Sequence, residues 1–326
     1  MGDGEPCTTV KDTLSLLETT KAVRSVCILL LVSLFATTIA LSTLFHRVNP
    51  KPVRLPMCLR TVRPAMLRLS SRIKSSIIPR RLFASNAHAE GSADFVKAGL
   101  KSVRNKMESV CKEVGHGAEL IAVSKTKPVE LLRHAYDAGQ RAFGENYAQE
   151  LIEKAPQMPD DTEWHFIGKL QSNKINPILK GVPNLKAVHT VHSEKVARKI
   201  GNACKTLNRD SIDIYIQVDT SGEVTKNGVD TGEELVKLAE LVASSEEPFN
   251  RLKLVGLMTI GAPGDLSCFD KLVEARKMVA SKLGVDASDL KLSMGMSGDF
   301  EEAIKRGSNL VRVGSTIFGA RDYSKK

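Results

Sequence analysis

The stretch from Ile121 to Pro128 contains the residue with the most distinctive chemistry, a lysine at the end of a short apolar run. The run lacks a helical period and Pro128 cannot pair within a sheet, so the sequence predicts a buried strand ending near Lys125. Alternation along a strand places Lys125 on the same face as Ile121 and Val123. A buried ammonium tends to lose its proton, and the neutral amine condenses with aldehydes such as pyridoxal phosphate. The alternative is that Lys125 extends its ammonium into solvent.

Two stretches near the C-terminus could hold other parts of such a ligand. Arg312 lies in the strand-like run 309–318, and a buried guanidinium needs a partner, either a cofactor's pyridine nitrogen or an acid on a neighbouring strand. A helix is predicted over Phe300–Lys305, and free N–H groups at a helix start bind phosphate. The residues of the predicted phosphate cup are Ser297, Gly298, Gly314 and Ser315. The alternative is that Asp299 is an ordinary helix N-cap.

The remaining polar residues give weaker signals. His165 and His189 are predicted at the ends of strands, and the spacing of the histidines matches no zinc motif, so we assign no metal site. Lys226 follows the fifth predicted strand, as a surface charge or as a contact to an anionic ligand.

These residues must be positioned by alternating strands and helices. The strand-like runs are 118–125, 141–144, 163–168, 185–190, 211–219, 252–260, 290–296 and 309–318. Eight strands alternating with helices predict an α/β fold, a single (β/α)8 TIM-type barrel, with an extra N-terminal helix from Ala93 to about Gly115. The active face of such a barrel lies at the C-terminal ends of its strands. The alternative is an open doubly wound sheet, for which the sequence has no dinucleotide fingerprint.

Residues 1–90 differ in composition from the rest. They hold 13 Lys and Arg against 5 Asp and Glu, whereas the remaining residues hold 34 against 32. The net charge of +10 therefore belongs mainly to this leader, and the nearly neutral remainder argues against a nucleic-acid partner. We predict two parts, a leader at 1–90 and a globular domain at 91–326.

The leader has two segments of its own. Residues 26–45 carry no charge and are long enough to cross a hydrocarbon core of about 30 Å. Residues 46–89 hold ten Lys and Arg and no acid, which is typical of mitochondrial or plastid transit peptides. Three interpretations stay open: a membrane anchor, a cleaved presequence, or an upstream extension of a cytosolic protein. The three scattered cysteines of the globular part predict an intracellular, reduced environment.

Several motifs, in this order, carry a family resemblance. They are Ala122-Val-Ser-Lys-Thr-Lys-Pro128, Phe143-Gly-Glu-Asn-Tyr147, Trp164-His-Phe-Ile-Gly-Lys-Leu-Gln-Ser-Asn-Lys174, Gly256-Leu-Met258, Leu292-Ser-Met-Gly-Met-Ser297 and Val311-Arg-Val-Gly-Ser-Thr-Ile-Phe-Gly319. From about Ala93 onward the chain resembles the pyridoxal phosphate homeostasis proteins, the YggS-like family also called proline synthetase co-transcribed homologues. The resemblance implies a barrel like the N-terminal domain of alanine racemase, with pyridoxal 5'-phosphate (PLP) as its cofactor.

The same resemblance implies a role for each matching residue. The implied contacts are Lys125 as the Schiff-base lysine, Arg312 at the pyridine nitrogen, Ser297, Gly314 and Ser315 at the phosphate, and Asn146 and Met258 along the ring. Lys226 matches a lysine that the family uses in a second cofactor contact, and His165 and Gly298 are secondary candidates.

The resemblance also implies a carrier that buffers and delivers PLP in vitamin B6 homeostasis, with apo-enzymes as recipients, rather than an enzyme. The sequence ends at Lys326, just after the eighth predicted strand, where the racemases continue into a β domain that supplies a second base. We therefore expect no strong catalytic activity and a monomer or weak dimer. The rival hypotheses are a racemase-like enzyme with residual activity that uses Lys125 alone, and a membrane scaffold that holds no cofactor.

Overall fold

The computed structural model describes residues 91–222 and 228–320. The predicted segments 26–45 and 46–89, and Lys226, lie outside these residues. Within the described ranges, no helix combines the length and apolar character that a membrane span requires.

Eight parallel strands close into a barrel. In chain order, the eight barrel strands and one short additional strand, β6, are β1 (Glu119–Val123), β2 (Ala142–Glu145), β3 (Glu163–Phe166), β4 (Leu185–Val191), β5 (Ile212–Asp219), β6 (Val229–Asp230), β7 (Leu252–Met258), β8 (Lys291–Met296) and β9 (Leu310–Val313). Neighbours follow the order β1-β2-β3-β4-β5-β7-β8-β9, and β9 pairs with β1 to complete the circle. The short β6 pairs with the end of β5. The predicted (β/α)8 barrel is confirmed, and the open doubly wound alternative is wrong.

Helices surround the barrel. They are α1 (Ala93–Val114), α2 (Val129–Asp137), α3 (Ala148–Lys154), α4 (Ile175–Gly181), α5 (Glu194–Thr206), α6 (Glu233–Val242), α7 (Ser267–Leu283), α8 (Phe300–Lys305) and α9 (Ser315–Phe318). The predicted extra helix is α1, which packs on α2, α8 and α9. Its ends are defined by Ser92, whose hydroxyl accepts from Phe95 N, and by Gly115, which adopts the left-handed conformation at φ 75°.

The alternation of side chains determines what fills the barrel. Ile121 of β1 lies in register with Arg312 of β9, so both point to the same side of the sheet. Buried apolar residues on that inner side form one cluster: Ile121, Ala187, Tyr215, Met258 and Leu310. Buried polar residues share the interior with it: His165, His189, Ser293 and Arg312.

Two strand predictions are corrected at the end that carries the site. The predicted strand 309–318 is wrong in its second half, because β9 ends at Val313 and α9 begins two residues later. Likewise β1 ends at Val123, so Lys125 lies in the turn that follows the strand. Helix α4 was not predicted, because it is short and contains Pro177 and Gly181, both of which disfavour a helix.

Candidate functional site

A cavity of about 200 Å³ opens at the C-terminal ends of the barrel strands. Its lining is formed by Val123, Lys125, Lys127, Asn146, Ile167, Ile260, Met296, Ser297, Arg312, Gly314, Ser315 and Gly319. The ends of six strands, and the segments that follow them, supply these residues, so only the closed barrel brings them together. The structure therefore places six of the seven principal predicted site residues around one space.

Lys125 reaches this cavity from the turn after β1. The next residue, Thr126, has φ 62°, a left-handed conformation that a β-branched residue rarely adopts. Ile121 fills the barrel interior, while Val123 and Lys125 line the cavity. The sequence predicted a buried Lys125 at the end of a strand. In the structure Lys125 is half-buried and lies after the strand. The protonation state of its amine stays a prediction.

Arg312 is fully buried inside the barrel and also lines the cavity. Its Nη1 donates to Ser293 O at 2.7 Å and to Ser293 Oγ at 2.8 Å, and its Nη2 donates to Thr259 O at 2.7 Å. These bonds use three of the five guanidinium N–H groups. Burial lowers the pKa of Arg312 to about 10, but this value is still high enough to leave the group protonated at neutral pH. Within the described residues its hydrogen-bond acceptors are neutral oxygens, so the alternative of a salt bridge to an acid on a neighbouring strand is not observed.

A line of polar groups leads from Arg312 into the barrel. Ser293 Oγ is hydrogen-bonded to His189 Nδ1 at 3.1 Å, and His189 Nε2 to His165 Nδ1 at 3.0 Å. The His189 ring stacks on Tyr215 with centroids 4.2 Å apart. Burial lowers the pKa of His165 to about 3 and that of His189 well below its usual value, so both rings are neutral. His165, a secondary candidate, thus lies in the barrel interior and not on the cavity wall.

Three of the four residues of the predicted phosphate cup lie on the cavity wall. Ser297, Gly314 and Ser315 line the cavity, and Gly314 N donates to Ser297 Oγ at 3.3 Å. Gly298 is absent from the lining. Asp299 occupies the N-cap position of α8 but does not cap it, because its Oδ1 accepts from Met296 N at 2.6 Å.

Asn146 contributes an unsatisfied acceptor to the cavity wall. Its Oδ1 is buried and has no hydrogen-bond partner among the described residues. Gly168 lets the Asn146 backbone come close, because a Cβ at Gly168 would lie 2.0 Å from Asn146 O. Met258, also predicted along the ring, is fully buried in the interior cluster and is not part of the lining.

The cavity also contains residues for which no role was predicted. They are Lys127, Ile167, Ile260, Met296 and Gly319. Lys127 is the one with a charge, and its Nζ donates to Ala320 O at 2.6 Å. The sequence signal that could have identified it is a second lysine two residues after Lys125. The apolar residues gave no signal, because their approach to the cavity depends on closure of the barrel.

Comparison with known proteins fits this geometry. The sequence model for the alanine racemase N-terminal domain matches residues 99–322. A pyridoxal phosphate homeostasis protein of Bos taurus is 46% identical over 219 residues, 64% of this chain and 78% of the relative. One from Caenorhabditis elegans is 42% identical over 242 residues, 69% of this chain and 97% of the relative.

The chain belongs to the pyridoxal phosphate homeostasis protein family. Among solved structures of this family, PipY of Synechococcus elongatus with PLP bound is 31% identical, with a TM-score of 0.56. The similarity covers 69% of this chain and all of PipY. The part of this chain that matches the racemase-domain model, residues 99–322, includes every residue that lines the cavity.

Proposed function

We propose that the domain of residues 91–326 holds PLP as a Schiff base on Lys125 and buffers and delivers it within the cell, without a strong catalytic activity of its own. The observation that carries this proposal is one cavity lined by a lysine, a protonated arginine, an unsatisfied amide oxygen and two serine hydroxyls. PLP bound to the family member PipY supports it.

The lining residues fit the chemical groups of PLP. The amine of Lys125 matches the aldehyde, and the hydroxyls of Ser297 and Ser315 beside Gly314 match the phosphate. The unpaired Oδ1 of Asn146 is an acceptor for a hydroxyl or a bound water. When bound, the cofactor supplies an electrophilic carbon and an electron-withdrawing ring.

Arg312 would determine how strongly that ring withdraws electrons. Three hydrogen bonds to Ser293 and Thr259 hold the guanidinium in place, and it stays protonated at neutral pH. A guanidinium that donates to a pyridine nitrogen leaves the nitrogen unprotonated, since arginine does not give up its proton. The ring would then be a weaker electron sink.

The composition of the cavity wall supports a carrier over a racemase. Its titratable side chains, within the described residues, are Lys125, Lys127 and Arg312. Racemisation by two bases needs a second proton donor on the opposite face of the substrate. The described wall contains no imidazole, phenol or carboxylate for that task, and its other amine, that of Lys127, donates to Ala320 O.

A spectroscopic titration tests the cofactor proposal. Purified protein titrated with PLP should develop a visible absorbance band that borohydride abolishes. The band should be absent in Lys125→Ala and present in Lys127→Ala, the matched control on the same wall. A band of equal strength in Lys125→Ala would contradict the proposal.

A second pair of assays separates carrier from enzyme. PLP-loaded protein should restore activity to an added PLP-dependent apo-enzyme. It should also release no D-amino acid above background when incubated with L-amino acids. Steady production of D-amino acid that is lost in Lys125→Ala would favour the racemase-like alternative.

A further inference from the structure

A buried charge cluster lies behind the turn that carries Lys125. Lys154 of α3 is almost fully buried, and its Nζ donates to Glu145 Oε1 and Glu150 Oε2, both at 2.8 Å, and to Ser124 O at 3.0 Å. An ammonium has three N–H groups, so these three acceptors satisfy it completely. We call Glu145, Glu150 and Lys154 the Lys154 network.

The network holds the backbone on both sides of Lys125. On one side, Ser124 O accepts from Lys154, and Ser124 Oγ donates to Glu145 Oε1 at 2.7 Å. On the other side, Thr126 N donates to Glu150 Oε2 at 2.7 Å. Thr126 is the residue with φ 62°, a conformation that needs support from its surroundings. The turn is therefore anchored at the residue before Lys125 and at the residue after it.

Barrel stability is a weak explanation for this arrangement. Burying an ion pair removes two charges from water, and well-packed apolar residues stabilise a core at least as well. The contacts of the network are instead concentrated on two backbone groups that flank one functional side chain. We propose that Glu145, Glu150 and Lys154 are positioning residues that fix Lys125 for covalent capture of PLP. This proposal rests on the proposed function.

Capture requires orientation as well as proximity. The amine of Lys125 attacks the aldehyde carbon, C=N replaces C=O, and the carbonyl oxygen leaves with both amine hydrogens as one water molecule. Fixing the backbone of the turn reduces the freedom that Lys125 loses when this bond forms. The network should therefore favour the Schiff base without affecting the groups that hold the phosphate and the ring.

A comparison of two ligands tests the proposal. PLP can form the Schiff base, whereas pyridoxine 5'-phosphate has an alcohol in place of the aldehyde and cannot. Glu150→Leu removes the acceptor of Thr126 N, Glu150→Gln keeps an acceptor oxygen, and Glu153→Leu makes the same change at an exposed position of α3.

In Glu150→Leu we expect the Kd for PLP to rise about tenfold, the size expected for a lost charge-assisted hydrogen bond. The Kd should stay near the wild-type value in Glu150→Gln and Glu153→Leu. The Kd for pyridoxine 5'-phosphate should be the same in all four proteins, which also shows that the cavity of Glu150→Leu is intact.

Two results would overturn the proposal. An unchanged Kd for PLP in Glu150→Leu would show that the turn needs no anchor. An equal loss of affinity for both ligands would show that Glu150 shapes the cavity rather than positioning Lys125. Failure of the proposed function looks different, because wild-type protein would then hold no PLP that borohydride can trap.

Discussion

Removal of the Lys154 ammonium should destabilise the barrel strongly. In Lys154→Met the carboxylate of Glu145, whose side chain is 0% exposed, loses its cationic partner. Its Oε1 keeps the Ser124 hydroxyl, while Oε2 has no partner among the described residues even in the wild-type protein. Removing one member of a buried ion pair costs about 3–5 kcal/mol. In a domain of this size that corresponds to a fall in Tm of roughly 6–20 °C.

The loss should depend on pH in a defined direction. Burial raises the pKa of Glu145, and the Lys154 ammonium opposes that effect. Without Lys154 the folded-state pKa rises further above the unfolded value of 4.5. The folded variant then binds its proton more tightly than the unfolded chain, so its stability falls as pH rises above that unfolded value. The difference between Lys154→Met and wild type should be larger at pH 8 than at pH 5.

Urea unfolding at both pH values measures these effects, with Lys154→Met/Glu145→Gln as the matched double variant. The double variant should regain much of the lost stability, because it leaves no uncompensated buried charge. A loss below about 1 kcal/mol in the single variant, the range of exposed ion pairs, would show that Lys154 and Glu145 do not behave as a buried pair. So would a double variant that is no more stable than the single one.

Three further predictions concern the barrel interior and the cavity wall. Gly168→Ala should cost about 1–3 kcal/mol by thermal melting and weaken PLP binding, because its Cβ would clash with Asn146 O; an unchanged Tm would contradict this. Ser293→Ala should cost about 1–3 kcal/mol in urea, since Nη1 of Arg312 loses an acceptor; a cost near zero would count against that bond. Folding lowers the pKa of His165 from 6.5 to about 3. The stability that the neutral buried ring contributes is therefore lost as the pH falls from 6.5 towards 3. His165→Phe should therefore lose about 2 kcal/mol less than wild type between pH 7.5 and pH 5, and parallel pH profiles would argue against a neutral buried ring.

Much of the fold follows from local patterns. The apolar runs and helical periods predicted all eight barrel strands and the leading helix, because burial on both faces of a parallel strand leaves a clear signal. The end of β9 was missed, since Ser315–Phe318 is apolar enough to continue a strand. In the fold this segment forms α9, which packs on α1.

The candidate site was predictable where chemistry depends on residue type. Lys125 and Arg312 could be identified because burying a charged group in an apolar segment is unfavourable unless the group has a partner. The distinction between cavity wall and barrel interior was not predictable. Met258 and His165 point inward, and that outcome depends on strand register across the closed barrel. The Lys154 network could not be predicted for the same reason, because α3 and the turn after β1 come into contact only in the folded barrel.

Capture of PLP by the amine of Lys125 is the step on which the proposed function depends. The most direct measurement is peptide mapping by mass spectrometry after the PLP-loaded protein has been reduced with borohydride. We expect a single pyridoxyl-phosphate adduct on the peptide that contains Lys125, at close to one per chain. An adduct mainly on another lysine, such as Lys127, or no adduct at all would contradict it.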